Sequence, residues 1–197
     1  MKQHIKQIIQ KVGLLATQYR DNQIFQVKKL LSEEDCKFII DFYEKNCDGA
    51  NTLKSPRGFD YYTAICVDGR SLPFFDKMCS GFDSWQEKYP FVKHMVDKWR
   101  MDYHANLQKY VPNQAYSEFH VEHSPENEIS LKRIAAWMIY LNDVNNGGET
   151  EFIEQNIKLK ARAGDFYIWP AGWTHPHRGI PSPTQEKYIL TGWIIFD

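Results

Sequence analysis

The chain of 197 residues lacks a large net charge of either sign, because 24 Lys and Arg against 25 Asp and Glu give a formal net charge of −1. Because these charges are well mixed, they create no field that would attract a polyanion. Nucleic acid and anionic membranes are therefore not the expected partners, and a small or neutral partner is favoured.

Long apolar runs are also lacking. Over residues 1–22 every apolar run is interrupted by Lys or Gln, so neither the core of a signal peptide nor a membrane span is expected there. The protein is therefore expected to stay in the cytoplasm. Within this segment, apolar residues at spacings of three and four predict an amphipathic helix over residues 3–16.

No two of the four cysteines form a C-x-x-C pair, which argues against a zinc ribbon. The expected role of the cysteines is to fill core positions in the reduced form. Internal repeats, low-complexity tracts and linkers are absent as well. With 43% hydrophobic and 15% aromatic residues, the composition is typical of a globular protein, and the length predicts one domain over residues 1–197.

Helices are predicted mainly in the first half of the chain. Ser32, with Asp35 three residues later, is typical of a helix N-terminus, and this helix should end near residues 46–49. Apolar residues recur at helical spacing through residues 72–110 and are interrupted at Pro90. Two helices that cover one side of a sheet are therefore expected.

Short strands are expected mainly after Pro112, where turn signals separate alternating or apolar runs. The predicted strands are residues 23–30, 61–67, 115–122, 133–141, 150–152, 158–160, 166–169 and 187–196. Many short strands spaced in this way favour a sandwich or a barrel. Residues 51–59 are predicted to be a surface loop, and we hypothesise from their composition that this loop closes over a substrate.

The residues best suited to chemistry are a histidine and a glutamate two positions apart. On a strand, His120 and Glu122 would point to the same face, so one imidazole and one carboxylate could bind one metal. A third ligand, His175 or His177, would complete the two-histidine, one-carboxylate set of ferrous oxygenases. Taken alone, His-x-Glu on a strand is also compatible with an ordinary polar sheet face.

Lys187 stands at the start of the last predicted strand. A lysine that faces into such a strand needs an anion, because burying an unpaired ammonium group is costly. We therefore expect an anionic ligand in the same site.

Four motifs follow one another through residues 110–197. They are YVPNQAY at residues 110–116, HVE at 120–122, YLN at 140–142 and GGETEF at 147–152. His177 then has Pro181 at +4 and Lys187 at +10, whereas His175 satisfies neither spacing. This order resembles the prolyl 4-hydroxylase branch of the iron(II)- and 2-oxoglutarate-dependent oxygenases, in particular the short forms of bacteria and their viruses. The family pattern has Gly where Asn113 stands and Asp where Glu122 stands.

The resemblance implies a mainly β fold, a double-stranded β-helix of the jelly-roll or cupin type. Residues 111–197 would form its core, and residues 1–110 would supply helical support and the first strands. The whole chain would then be one dioxygenase domain.

The resemblance also implies a ligand set. His120, Glu122 and His177 would hold Fe(II), and Lys187 would pair with the far carboxylate of 2-oxoglutarate. The expected hydroxyl partners of this co-substrate are Tyr140, Thr191 and, more weakly, Tyr110. O2 would be the second co-substrate, with ascorbate as a possible accessory.

The substrate expected from the resemblance is a prolyl residue in a peptide or protein. Because Glu122 supplies a carboxylate, a halogenating member, which lacks it, is disfavoured. Two alternatives stay open: an oxygenase of a small molecule or free amino acid, and a non-catalytic β-sandwich module stabilised by a metal. The sequence assigns no single role to three residues near the motifs: His123 and His175 are compatible with hydrogen bonding beside the metal ligands or with the surface, and Arg178 with a substrate contact or a solvated charge. Trp137, Trp169, Trp173 and Trp193 are compatible with core packing or with an apolar substrate site.

Overall fold

The computed structural model describes residues 21–47, 52–54, 61–95, 99–125 and 127–197. The helix predicted over residues 3–16 lies outside the described residues. The described helices are α1 (Glu33–Asn46), α2 (Phe75–Lys88), α3 (Pro90–Met95) and α4 (Glu128–Leu131), with a short 3-10 helix at Gly69–Ser71.

Helix α1 begins where its sequence predicts. The Ser32 hydroxyl accepts a hydrogen bond from the Asp35 amide, and the Asp35 carboxylate accepts one from the Ser32 amide. This reciprocal capping satisfies two amides that would otherwise lack partners at the helix start. Pro90 ends the preceding helix and occupies the first position of α3, where the missing N–H costs nothing.

Eleven strands are described, and they form two antiparallel sheets. They are β1 (Phe25–Val27), β2 (Thr52–Lys54), β3 (Tyr61–Asp68), β4 (Trp99–Met101), β5 (His104–Tyr110), β6 (Arg133–Tyr140), β7 (Thr150–Phe152), β8 (Ile157–Leu159), β9 (Phe166–Pro170), β10 (His177–Gly179) and β11 (Lys187–Phe196). The eight-stranded sheet has the order β1-β9-β6-β11-β5-β3-β2, with β4 also paired to β11, and the three-stranded sheet has the order β10-β7-β8.

Three predictions about these elements are wrong. The helical spacing predicted through residues 72–110 ends at α3, because β4 and β5 both pair with β11 instead. The predicted strand at residues 115–122 forms no ladder and has one isolated bridge. Within the predicted loop at residues 51–59, Thr52–Lys54 is a strand paired with β3, and the other residues lie outside the described ones.

The large sheet is buried on both faces, which explains the almost continuous apolar run of β6. Trp137 and Ile139 face a core shared with α1 and α2, whereas Met138 and Tyr140 face a second core shared with the small sheet. Strand β11 divides its residues in the same way: Leu190 belongs to the helix-side core. Its odd-numbered residues therefore point between the two sheets, because side chains alternate along a strand.

The turn at Gly164 fixes the connection between β1 and α1 against this framework. Gly164 has φ +82°, and a Cβ there would overlap the carbonyl oxygen of Leu31. Its amide donates to the Tyr140 carbonyl at 2.8 Å, and its carbonyl accepts from the Leu31 amide at 3.3 Å. Glycine is needed here for both the backbone angle and the close approach.

The cysteines are free, as expected, but they do not all fill the core. Cys36 is buried, Cys47 and Cys79 are partly buried and Cys66 is exposed. In the parts of the chain that the structure describes, no helix has the length and apolar character needed to cross a membrane.

Candidate metal centre

His120 and His177 are brought together by backbone pairing. The amide of each residue donates to the carbonyl oxygen of the other at 3.0 Å, which forms the isolated bridge between residues 111–127 and β10. Glu122 is anchored next to them, because its amide donates to the Ala171 carbonyl at 3.0 Å. His120 and Glu122 therefore share a site, although neither belongs to a strand.

The side chains of these three residues converge on one point. Glu122 Oε1 lies 3.7 Å from His120 Nε2 and 3.5 Å from His177 Nε2. One ligand atom from each residue lies within 4.8 Å of the others. The structure thus brings together the three residues expected to hold a metal, and His175 is not part of this group.

The imidazole tautomers follow from the other ring nitrogens. His120 Nδ1 lies 3.0 Å from the Glu118 carbonyl, and His177 Nδ1 lies 3.0 Å from the His175 carbonyl. Since a carbonyl oxygen only accepts, each Nδ1 carries a hydrogen, and the neutral form of each ring would present the lone pair of Nε2. Two imidazole lone pairs and a carboxylate oxygen then face one another, an arrangement that a cation would stabilise.

The pKa values of His120 and Glu122 reflect the same contacts. Burial lowers the pKa of His120, but the Glu122 carboxylate outweighs burial and raises the pKa overall. Burial raises the pKa of Glu122, and the two imidazoles more than compensate, so its pKa lies well below the usual range. Glu122 is therefore an anion at neutral pH, as a metal-binding carboxylate must be.

His175 has a structural environment instead. It is 3% exposed, its Nε2 lies 2.9 Å from the Asn22 carbonyl, and its Nδ1 lies 2.9 Å from the Thr174 hydroxyl. Burial lowers the pKa of His175, so the ring is neutral and both nitrogens are in use. It ties the loop before β10 to the segment before β1.

The other residues that received no role from the sequence lie outside the cluster. His123 is exposed, with Nδ1 3.1 Å from the Arg133 carbonyl. Arg178 donates to Glu151 at 2.7 Å and covers the Phe119 ring at 4.5 Å.

His120, Glu122 and His177, the metal-binding cluster, line a cavity of about 290 Å³ between the two sheets. Strands β5 and β11 form one wall, because their cavity-facing residues alternate with residues of the helix-side core. The polar groups of this wall are Asn106, Gln108, Tyr110, Lys187 and Thr191. The cavity therefore joins the candidate metal site to the predicted anion site.

Lys187 is 4% exposed in the wall of this cavity. Its Nζ lies 4.8 Å from the centre of the Tyr110 ring and donates to the Gly148 carbonyl at 3.4 Å. Burial lowers the pKa of Lys187 to about 8, although the charge of Glu149 partly opposes this. In the described part of the chain no carboxylate forms an ion pair with Lys187, so an anion entering the cavity would meet an under-compensated ammonium group.

The three expected hydroxyl partners do not have equal access to the cavity. Tyr110 and Thr191 line it, and their hydroxyls donate to the Gln108 side chain and the Trp137 carbonyl at 2.7 and 2.8 Å. Tyr140 is fully buried and does not line the cavity, so its expected contact with 2-oxoglutarate stays a prediction. Its hydroxyl is 2.7 Å from Thr150 Oγ1, and Thr150 does line the cavity.

Arg133 and Trp193 are candidate site residues that the motifs did not assign. Trp193 Nε1 donates to Glu122 Oε2 at 2.7 Å, and the Arg133 guanidinium lies 3.6 Å from the centre of the Trp193 ring. The sequence did indicate that Trp193 could reach the site, because it lies on the same face of β11 as Lys187 and Thr191. Nothing in the sequence indicated that Arg133 belongs to the site, apart from its charge at the start of an apolar strand.

Of the other three tryptophans between residues 137 and 193, two lie away from the candidate metal site and one lies beside it. Trp137 lies in the helix-side core and Trp173 is 83% exposed. Trp169 belongs to the core between the sheets and lines the cavity, with its ring 5.1 Å from that of His177.

Comparisons with known proteins agree with this geometry. Residues 105–195 match the model of the 2OG-Fe(II) oxygenase superfamily. A provisionally named prolyl 4-hydroxylase of Acanthamoeba polyphaga mimivirus is 30% identical over 193 residues, which cover 87% of this chain and 74% of that protein. The chain belongs to the 2OG-Fe(II) oxygenase superfamily. Within it, the chain is prolyl 4-hydroxylase-like, and membership implies iron(II), 2-oxoglutarate and O2.

The match to plant relatives is shorter. Prolyl 4-hydroxylase 13 of Arabidopsis thaliana is 29% identical over 126 residues, covering 51% of this oxygenase and 46% of the relative. The chain spans less than half the length of the curated plant relatives it matches.

A solved structure confirms the expected fold. The viral collagen prolyl hydroxylase of Paramecium Bursaria Chlorella virus-1, in its 2-oxoglutarate complex, superposes with a TM-score of 0.67 at 21% identity. The superposition covers 89% of this oxygenase and 96% of the viral chain. The double-stranded β-helix predicted from the sequence is therefore correct.

Proposed function

We propose that this oxygenase uses Fe(II), 2-oxoglutarate and O2 to hydroxylate a prolyl residue in a peptide or protein. The observation that carries the proposal is the convergence of His120 Nε2, Glu122 Oε1 and His177 Nε2, with both Nδ1 atoms tied to carbonyls. Two imidazole nitrogens and one carboxylate oxygen fit iron(II), because this donor set leaves other coordination positions open. When bound, iron(II) supplies the redox chemistry that couples decarboxylation of 2-oxoglutarate to oxidation of the substrate.

The residues of the cavity would hold the co-substrate. Lys187 is placed to pair with the distal carboxylate of 2-oxoglutarate, since it is buried and lacks an ion-pair partner among the described residues. Thr191 and Tyr110 line the same cavity and offer hydroxyl contacts. Tyr140 would act through Thr150, because its hydroxyl contacts Thr150 Oγ1 and Thr150 lines the cavity.

The electrostatic surroundings of the cavity support binding of an anion. Because Lys187 lies in a low-dielectric site, its attraction for a carboxylate exceeds that of an exposed lysine. Apolar residues of the core between the two sheets, among them Met138 and Ile189, line the cavity beside its polar groups.

A prolyl substrate is supported by the viral relative that is named as a prolyl 4-hydroxylase. Aromatic side chains stand beside the metal-binding cluster: the Tyr116 ring lies 4.1 Å from that of His120, and Trp193 contacts Glu122. An apolar pyrrolidine ring could pack against such surfaces. Net charge of −1 gives no support to a nucleic-acid substrate.

The test combines spectroscopy with product analysis. Anaerobic addition of Fe(II) and 2-oxoglutarate should produce the visible charge-transfer band of the chelate, and Lys187→Ala should require more 2-oxoglutarate to reach it. In air, proline-containing peptides should yield succinate and a product heavier by one oxygen, with and without the accessory ascorbate. Failure to bind 2-oxoglutarate and to form succinate would contradict the proposal.

Product mass spectrometry also separates the substrate classes. Oxidation of amino acids or other small molecules, with peptides left unchanged, would assign this oxygenase a small-molecule substrate. Stabilisation by iron without consumption of O2 or 2-oxoglutarate would identify a non-catalytic binding module.

A further inference from the structure

The two carboxylate oxygens of Glu122 have different surroundings. Oε1 faces the Nε2 atoms of His120 and His177, at 3.7 and 3.5 Å. Oε2 accepts a hydrogen bond from Trp193 Nε1 at 2.7 Å and lies 3.4 Å from an Arg133 guanidinium nitrogen. One oxygen thus points to the two imidazoles, while the other is already engaged by the protein.

Arg133 holds this arrangement by stacking on the indole ring and contacting Glu122. Its guanidinium lies 3.6 Å from the centre of the Trp193 ring and donates to the backbone carbonyl of Glu122 at 3.2 Å. Its side chain is 18% exposed. A planar guanidinium that stacks on an indole and binds the neighbouring backbone restrains both partners of the hydrogen bond.

We propose that Trp193, held by Arg133, is a positioning residue that makes Glu122 a ligand through Oε1 alone. This inference rests on the proposed metal-binding role of His120, Glu122 and His177. A glutamate has one more rotatable bond than the aspartate of the family pattern, so an unrestrained carboxylate would sample more orientations. The hydrogen bond from Trp193 selects one of them and occupies Oε2, which keeps that atom from becoming a second ligand.

The first experiment measures metal affinity without turnover. Mn(II), which accepts imidazole and carboxylate ligands, is titrated into the purified full chain and free Mn(II) is followed by electron paramagnetic resonance. Trp193→Phe should weaken binding by about 10- to 100-fold, the range typical of residues that orient metal ligands. Trp173→Phe, which alters a side chain that is 83% exposed, is the matched control and should bind as wild type does.

A double-mutant cycle separates positioning from a general structural effect. From the same backbone position, the carboxylate of Glu122→Asp ends one methylene short of the indole nitrogen. The loss caused by Trp193→Phe should therefore be much smaller when residue 122 is Asp. Equal losses in the two backgrounds, or no loss in either, would overturn the inference.

Two further outcomes are informative. If Trp193→Phe does not fold, Arg133→Lys tests the same arrangement, because lysine keeps the charge but cannot stack as a plane; its Mn(II) affinity should fall, and an unchanged affinity would overturn the inference. If wild type itself does not bind Mn(II), the proposed metal centre fails and this inference fails with it. If wild type binds Mn(II) but the effects of Trp193→Phe and Glu122→Asp are additive, the positioning role of Trp193 is overturned and the metal centre is not.

Discussion

His120 and His177 are hydrogen-bonded through their backbones in both directions, at 3.0 Å each. The imidazoles therefore become neighbours only when β10 lies against the segment that carries His120. Their ring centres are 4.4 Å apart in the folded chain. Because an unfolded chain lacks this pairing, binding of a metal should favour the folded state.

We expect divalent metal to stabilise the protein. At a free metal concentration of 100 times Kd, one site that exists only in the folded state adds about 2.7 kcal/mol to the free energy of unfolding. Thermal unfolding with and without Mn(II) measures this effect, and a chelator should reverse it. His177→Ala should abolish the increase, and an equal increase in that variant would place the metal elsewhere.

Two neighbouring histidines should respond differently to substitution. His177→Ala should lose metal binding, whereas His175→Ala should keep it and lose about 1–2 kcal/mol of stability, because the Asn22 carbonyl and the Thr174 hydroxyl lose a partner. Metal titration and denaturant unfolding of both variants provide the measurement. Loss of metal affinity in a fully folded His175→Ala would contradict the assignment.

Lys187→Ala should weaken 2-oxoglutarate binding on the order of 100-fold or more. Truncating one partner of a buried charge pair costs roughly 2–5 kcal/mol, because the carboxylate is left without its counter-charge. The apparent KM for 2-oxoglutarate is the measured quantity. Lys158→Ala, which changes a side chain that is 57% exposed, should leave this KM unchanged.

The stability of the ligand-free protein should rise with pH above about 8. The pKa of Lys187 is lowered from 10.5 to about 8 on folding, so between these values the unfolded chain binds more protons than the folded one. The free energy of unfolding therefore increases with pH, by up to roughly 3 kcal/mol. In Lys187→Met this contribution should disappear, and the variant should be the more stable protein at pH 7.

Denaturant unfolding across pH 7–10.5, compared between wild type and Lys187→Met, isolates that contribution. Identical slopes in the two proteins would rule out Lys187 as its source. The affinity of wild type for 2-oxoglutarate should fall over the same range, because deprotonation removes the positive charge.

Tyr140→Phe should change the KM for 2-oxoglutarate less than Thr191→Val does. The Tyr140 hydroxyl lies behind Thr150, whereas Thr191 lines the cavity. Thr191→Val should lose about 1 kcal/mol of stability, because it removes one intramolecular hydrogen bond. Tyr140→Phe should lose more, because its hydroxyl bonds both Thr150 and the Leu159 carbonyl. Steady-state kinetics with 2-oxoglutarate as the varied component distinguishes them, and a larger effect for Tyr140→Phe would restore its expected direct contact.

The sequence predicted correctly those elements that depend on neighbouring residues in the chain. The helix capped by Ser32, the interruption at Pro90 and the long strands near residues 133–141 and 187–196 were predicted correctly, because caps, proline and apolar runs act over a few residues. The spacing from His177 to Lys187 was equally readable, since both belong to one short stretch of chain. The left-handed φ of 68° at Asn113 also explains how asparagine replaces the family's glycine there.

Only the tertiary structure decided which side chains meet. Helical spacing around Trp99 and Tyr103 was misleading, because pairing with β11 outweighs local propensity. Tyr140 shares the cavity-side face of β6 with Met138, but its hydroxyl contacts Thr150 and does not line the cavity. Trp193 reached Glu122 from a distant strand. Sequence alone determined the ligand types and their order along the chain. Their convergence, and the hold of Trp193 on Glu122, depend on long-range pairing that no local pattern encodes.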